Sequence, residues 1–440
     1  MTGIPDTGPL PVVDLSDVSD TVTGNGIRVV AVRRPNVPLV QLRLHVPLGD
    51  VALRDAPVMR LLPKTLLSGT GDRTGSQVAA DLQALGMLVG AGADVDDLSV
   101  SAGVPVAALR DALAQLADVV AHPSFPRAEV AGERERVVQE ITQEAVDPMA
   151  IATHGLDARL FPRHPYADPL PTSAAVRRTG RARLEQFHGE RVVPSKSLFV
   201  AVGDVDPERL TGLVEEAFAA WEGERGRAEL PGPASPAPAP GVVLLDRPGA
   251  VQSNVRVGTR CAGREDPGFA ALSLASTVLG GYFTSRLVDN LRERHGYTYS
   301  PRSGIDEHRL GAAFAVRAEV GTEVTAAALT EIQYELGRMA TTEVPAEELD
   351  AARRYRAGVL SMAAATQSGL AGLLGAFVSQ GLEPRYLERF LRELAAVDAP
   401  AVAAAAARFL GPASMTTVVV GDAAVVAPAL EPLGNVTVVS

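Results

Sequence analysis

Gly26-Ile27-Arg28-Val29-Val30-Ala31-Val32, then Arg34-Pro35, then an apolar run through Gln41-Leu42-Arg43-Leu44 form one unit of sequence. Past the midpoint of the 440-residue chain, Val242-Val243-Leu244-Leu245, Arg247-Pro248 and Gln252-Ser253-Asn254-Val255-Arg256-Val257 repeat its order. Apolar runs on either side of an Arg-Pro step read as strand, turn, strand in both places. The copies also close alike, with Leu198-Phe199-Val200-Ala201-Val202-Gly203-Asp204 matching Thr417-Val418-Val419-Val420-Gly421-Asp422. Between these strands, apolar residues recur at helical spacing over 106–121 and 128–145, and again over 324–339 and 346–363. Strands at the ends with helices between predict an α+β fold of two homologous domains, each an antiparallel-rich sheet with helices packed on one face.

The boundary between the copies falls at 224–241, where Pro231, Pro233, Pro236, Pro238 and Pro240 alternate with small residues. Such a segment cannot hold a helix and serves as an extended, semi-rigid spacer. The expected domains are therefore 1–223 and 242–440. A chain of 440 residues exceeds one ordinary core, which agrees with two domains. The net charge of −11 argues against a nucleic-acid partner, because phosphate binding needs a basic face. Lys64 and Lys196 are the only lysines among 41 basic residues, a bias that reads as a GC-rich genome rather than a function.

Cys261 is the single cysteine, so neither an internal disulfide nor a thiolate metal cluster is expected, and its apolar context reads as core. Residues 1–20 lack the basic start and apolar centre of a signal peptide. No run approaches the ~20 apolar residues of a membrane span, and the expected location is cytoplasmic.

In the first half, the apolar, helix-length segment from Ala56 to Gly69-Thr70 contains Arg60-Leu61-Leu62-Pro63-Lys64. A turn at Gly86, a strand through Leu98-Ser99-Val100 and a helix holding Glu133 and Glu140 follow, then His164-Pro165-Tyr166, Phe187 and Pro194-Ser195. This order resembles the insulinase (pitrilysin-type) metallopeptidase family in its two-domain, processing-peptidase form, and the resemblance runs through both halves. It implies two domains facing each other across a chamber. It also implies an inverted zinc motif, His-x-x-Glu-His, a few residues before the Gly-Thr pair. Two histidines four apart share one helix face and bind zinc, the glutamate activates water, and a later glutamate is the third ligand.

Aligned on Gly69-Thr70, the histidine positions are held by Arg60 and Lys64 and the glutamate position by Pro63. Glu140 stands alone at the third-ligand position, and Glu133 matches a supporting glutamate. Arginine and lysine are cations and proline has no side-chain donor atom, so no zinc is expected in this chain. His122, His154, His164 and His188 lie in the same half, but none pairs at helical spacing with another ligand. Arg60 and Lys64 read either as a solvated helix face or as an ion-pair remnant in which Lys64 meets Glu140. Pro63 would cost the helix about 3 kcal/mol unless the helix restarts there. Val89-Gly90-Ala91-Gly92-Ala93-Asp94 occupies the place of the family's substrate-pairing edge, and its glycines weaken a strand.

In the second half, Val278-Leu279-Gly280-Gly281-Tyr282-Phe283-Thr284-Ser285-Arg286-Leu287 precedes Leu291-Arg292-Glu293-Arg294-His295-Gly296-Tyr297-Thr298-Tyr299-Ser300. This reads as an amphipathic helix capped by Gly296 and followed by a strand. Taken alone, Ser285, Arg286 and Arg292 are surface polar groups and Tyr299 a half-buried strand residue. The resemblance instead assigns Arg292 and Tyr299 to a pair that holds the substrate carbonyl and stabilises the oxyanion. The family's glycine-rich loop has no counterpart, since Gly280-Gly281 is too short. The resemblance thus implies a non-catalytic, substrate-handling subunit of a heterodimeric zinc endopeptidase. Arg292 and Tyr299 would serve a zinc-bearing sister subunit acting on peptide or unfolded polypeptide. The alternatives are a peptide-binding or scaffolding pseudoenzyme without a peptidase partner, and a structural core subunit of a larger complex.

Overall fold

The computed structural model describes residues 8–167, 169–223, 232 and 234–439. Of the proline-rich spacer, residues 224–231 and 233 lie outside the described residues, while 234–241 contains neither helix nor strand. The first half contains strands β1 (Ser19–Val22), β2 (Arg28–Arg33), β3 (Leu39–Pro47), β4 (Leu88–Ala93), β5 (Asp97–Pro105) and β6 (Leu198–Gly203). The second contains β7 (Val242–Asp246), β8 (Gln252–Cys261), β9 (Arg302–His308), β10 (Gly311–Gly321), β11 (Thr416–Gly421) and β12 (Val436–Val439).

The duplication read from sequence is visible in the topology. The sheets run β1-β2-β6-β3-β5-β4 and β12-β7-β11-β8-β10-β9, so β2-β6-β3-β5-β4 repeats as β7-β11-β8-β10-β9. In each half the opening strand lies parallel to the closing strand, β2 to β6 and β7 to β11. The remaining pairs of the shared unit are antiparallel.

Strand alternation decides what covers each face. Val29, Ala31, Leu42, Leu44, Phe199 and Ala201 join a core with the helices of their own half, including Ala56–Thr65, Leu109–Ala121 and Arg127–Glu144. The alternate residues Val30, Val32, Val200 and Val202 lie in the other core, with Leu370, Leu374 and Phe377 of the Gln367–Ser379 helix. That helix belongs to the second half and packs across β3 and β6. The loan is mutual: the Pro148–Leu160 helix of the first half packs Leu156 and Leu160 against Val243, Ala313, Ala315 and Val418. With both faces covered, β6 and β11 are buried at every position and read as continuous apolar runs.

Two local expectations change. The Ala56–Thr65 helix passes through Pro63 without a break. Proline forfeits only the bond to the residue four back, and here two residues remain before the helix ends, which keeps the disruption local. The Thr65 hydroxyl supports that last turn by donating to the Leu61 carbonyl at 2.9 Å. The glycines of β4 do not abolish it: Leu88–Ala93 forms a full edge strand, with Ser101 and Ser99 donating to the carbonyls of Gly90 and Gly92.

Candidate functional site

Arg60 and Lys64 stand one turn apart on the Ala56–Thr65 helix, and Glu140 and Glu144 one turn apart on Arg127–Glu144. Spacing of i, i+4 places each pair on one helix face, and these faces meet. Lys64 Nζ donates to Glu140 Oε1 at 2.9 Å, and the two Arg60 Nη groups donate to the two oxygens of Glu144 at 3.2 Å. His154, on the Pro148–Leu160 helix, brings Nε2 to 2.9 Å from Glu144 Oε1. A carboxylate only accepts, so Nε2 carries the proton. Burial raises the Glu144 pKa, but the His154 hydrogen bond and the Arg60 guanidinium outweigh it and hold the carboxyl below its ordinary value. Glu133 pairs with Arg136 on its own helix.

This arrangement does not fit zinc. The two positions facing the carboxylates are cations, where a zinc site needs neutral nitrogen or anionic donors, and Glu140 already accepts from Lys64. Among the described residues no three His, Cys, Asp or Glu side chains group as metal ligands. The solvated-face reading of Arg60 and Lys64 is replaced by two ion pairs. His154, isolated in sequence, joins one of them through the fold.

Beside these pairs lies a cleft of about 650 Å³ where the halves meet, lined by Arg60, Glu144, His45, Asp97, Tyr166 and Arg309 among others. Its inner wall is a polar joint. Arg309 of the β9–β10 turn donates through Nη2 to Asp97 at 2.9 Å and through its backbone N–H to Asp96 at 3.0 Å. The Tyr166 hydroxyl donates to Asp96 at 3.0 Å and accepts from the Leu310 N–H. Burial pushes the Asp97 carboxyl up to about 6 against the opposing pull of Arg309, with Asp94 and Asp96 adding repulsion. Burial, with Arg43 and Arg309, pushes His45 down to about 4. No motif in the sequence marks His45, Asp97 or Arg309. The available signal was ionisable residues at or beside otherwise apolar strands, and it names no partner.

The second-half pair is brought together directly. The Arg292 guanidinium carbon lies 4.7 Å from the Tyr299 ring centroid. Arg292 sits on a π-helical stretch, Val288–Arg294, stopped by Gly296 at φ +67°, where the Tyr297 N–H returns to the Leu291 carbonyl at 2.8 Å. Tyr299 is 78% exposed and precedes the strand, which begins only at Arg302. Ser285 and Arg286, read alone as surface groups, are buried, and Arg286 makes a two-pronged pair with Glu348 at 2.7 Å. Neither Arg292 nor Tyr299 lines the cleft beside Arg60, whose second-half wall includes Glu307, His308 and Arg309.

The family models "Insulinase (Peptidase family M16)" and "Peptidase M16 inactive domain" match residues 28–172 and 180–355. The chain belongs to the M16, insulinase-type peptidase family, and the first match is the half whose zinc motif is replaced. An uncharacterized zinc protease of Mycobacterium tuberculosis is 29% identical over 405 residues, covering 91% of this chain and 92% of the relative. A probable mitochondrial-processing peptidase subunit alpha-1 of Arabidopsis thaliana is 26% identical over 209 residues, covering 46% of this chain and 40% of the relative. The crystal structure of a peptidase M16 inactive domain from Pseudomonas fluorescens aligns with a TM-score of 0.84 at 25% identity, covering 92% of this chain and 98% of that one. Among the described residues no single helix is long and apolar enough to cross a membrane.

Proposed function

We propose that this chain is the non-catalytic, substrate-handling subunit of a heterodimeric zinc endopeptidase. The observation that carries the reading is the contrast between its two motifs. At the zinc position Lys64 is bonded to Glu140, while Arg292 and Tyr299 stand together with the tyrosine open to solvent. In this reading the zinc resides in the sister subunit. Arg292 and the Tyr299 hydroxyl donate to the carbonyl oxygen of a peptide held against that sister, where negative charge develops as water attacks. A relative named as a processing-peptidase subunit supports a divided enzyme.

The test is reconstitution. The purified chain alone should show no peptide hydrolysis and retain no stoichiometric zinc. With a zinc-bearing family member from the same genome, hydrolysis should appear and fall about 100-fold or more on Arg292→Ala. Peptide binding by the chain alone, with no pairing partner and no sensitivity to Tyr299→Phe, would favour the peptide-binding or scaffolding alternative.

A further inference from the structure

Arg292 meets a second ring. Its guanidinium carbon lies 4.8 Å from the centroid of Phe283, as near as it lies to Tyr299 at 4.7 Å. Phe283 is 68% exposed and Tyr299 78%, so neither ring is a core residue. Stacking a ring on a guanidinium uses the faces of the two groups and leaves the N–H bonds in the guanidinium plane free to donate edgewise. Arg292 Nε lies 3.3 Å from Glu293 Oε1, an ion pair on the Nε side of the guanidinium, and in the proposed function the Nη groups are the donors to a carbonyl oxygen.

The loop that carries Phe283 is fixed before any ligand arrives. A Cβ on Gly280 would meet the Ser303 backbone nitrogen at 2.5 Å, so only glycine lets this turn close onto β9. Tyr282 packs on Tyr355 with ring centroids 5.5 Å apart, and the Ser285 N–H returns to the Tyr282 carbonyl at 3.1 Å. The bidentate Arg286–Glu348 pair anchors the residues that follow. A large exposed ring therefore sits on a rigid turn, with its face against the one guanidinium the proposed chemistry uses.

We propose that Phe283 is a positioning residue that holds the Arg292 guanidinium in its donating orientation together with Tyr299. This rests on the reading of Arg292 as a group serving a partner's site. The experiment compares full-length Phe283→Leu and Phe283→Tyr, the first removing the aromatic face and the second keeping it. In the free chain, the ¹H–¹⁵N signal of the Arg292 side-chain Nε, assigned with Arg292→Lys, should be shifted by the ring currents. It should keep that position in Phe283→Tyr and move toward the position of exposed arginines in Phe283→Leu.

With the zinc-bearing partner, Phe283→Leu should lower kcat about threefold to fivefold at unchanged KM, and Phe283→Tyr should restore it. An Arg292 signal unmoved by Phe283→Leu, or a moved signal with kcat unchanged in a pair whose turnover does fall on Arg292→Ala, overturns the proposal. If the signal moves but turnover ignores Arg292→Ala, the positioning stands and the subunit reading fails.

Discussion

Lys64 and Glu140 are 36% and 51% exposed at the side chain, and solvent screens a pair that open. Lys64→Met should therefore change unfolding free energy by less than about 1 kcal/mol in urea titration, because the pair does not hold the fold together. His45 has the larger linkage. Its folded value of about 4 lies below its ordinary 6.5, so its contribution to stability is complete above pH 6.5 and is lost as pH falls toward 4. Asp97 has the opposite sign: raised from 3.8 to about 6, its contribution is complete below pH 3.8 and fades as pH rises through 6. In the wild type the two offset each other across that window. His45→Gln removes one side, so the stability gap between wild type and variant should shrink by about 2–3 kcal/mol from pH 7 to pH 4.5. A gap that stays constant would contradict the burial of a neutral His45. The Lys64–Glu140 meeting was legible from the family spacing between the two positions, whereas the Arg60–Glu144 pair was not, because nothing in the sequence singles out Glu144. The joint of His45, Asp97 and Arg309 was not, because it joins strands of one half to a turn of the other.

At the scale of elements, the repeated strand, turn, strand units and the four long amphipathic helices were legible, because each keeps one buried and one wet face. The two exchanged helices were not. Gln367–Ser379 is buried on much of its surface against a sheet from the other half, so no polar stripe marks its period. Gly369, Gly372 and Gly375 add to the disguise, since glycine speaks against a helix interior. At Gly375 the small residue has a reason: a Cβ there would meet His45 Nε2 at 2.6 Å, where the helix crosses β3. Leu374, 1% exposed in that seam, is the sharper probe. Leu374→Ala should cost about 2–5 kcal/mol, read as a lower urea midpoint. Because the seam belongs to both halves, the loss should appear as one transition seen alike by Trp221 fluorescence and by far-ultraviolet circular dichroism. A separate early transition of the second half would show that the helix loan does not couple the halves.

At the scale of the whole molecule, the exchange makes two homologous halves one body with an ion-paired zinc position on one half and an exposed arginine–aromatic cluster on the other. The cleft beside Arg60 takes its second-half wall from other residues, so within one chain the two motifs do not complete each other. In the proposed function a second subunit brings the metal site to Arg292 and Tyr299. The most direct measurement is peptide hydrolysis by the chain alone, by its zinc-bearing sister alone, and by the two mixed, with Tyr299→Phe and Arg292→Ala carried through the mixture. The account predicts no turnover by this chain, strong turnover by the pair, and a loss of about 100-fold or more in the pair when Arg292 is removed. Zinc-dependent cleavage by the single chain, or a pair whose rate is indifferent to both substitutions, would contradict it.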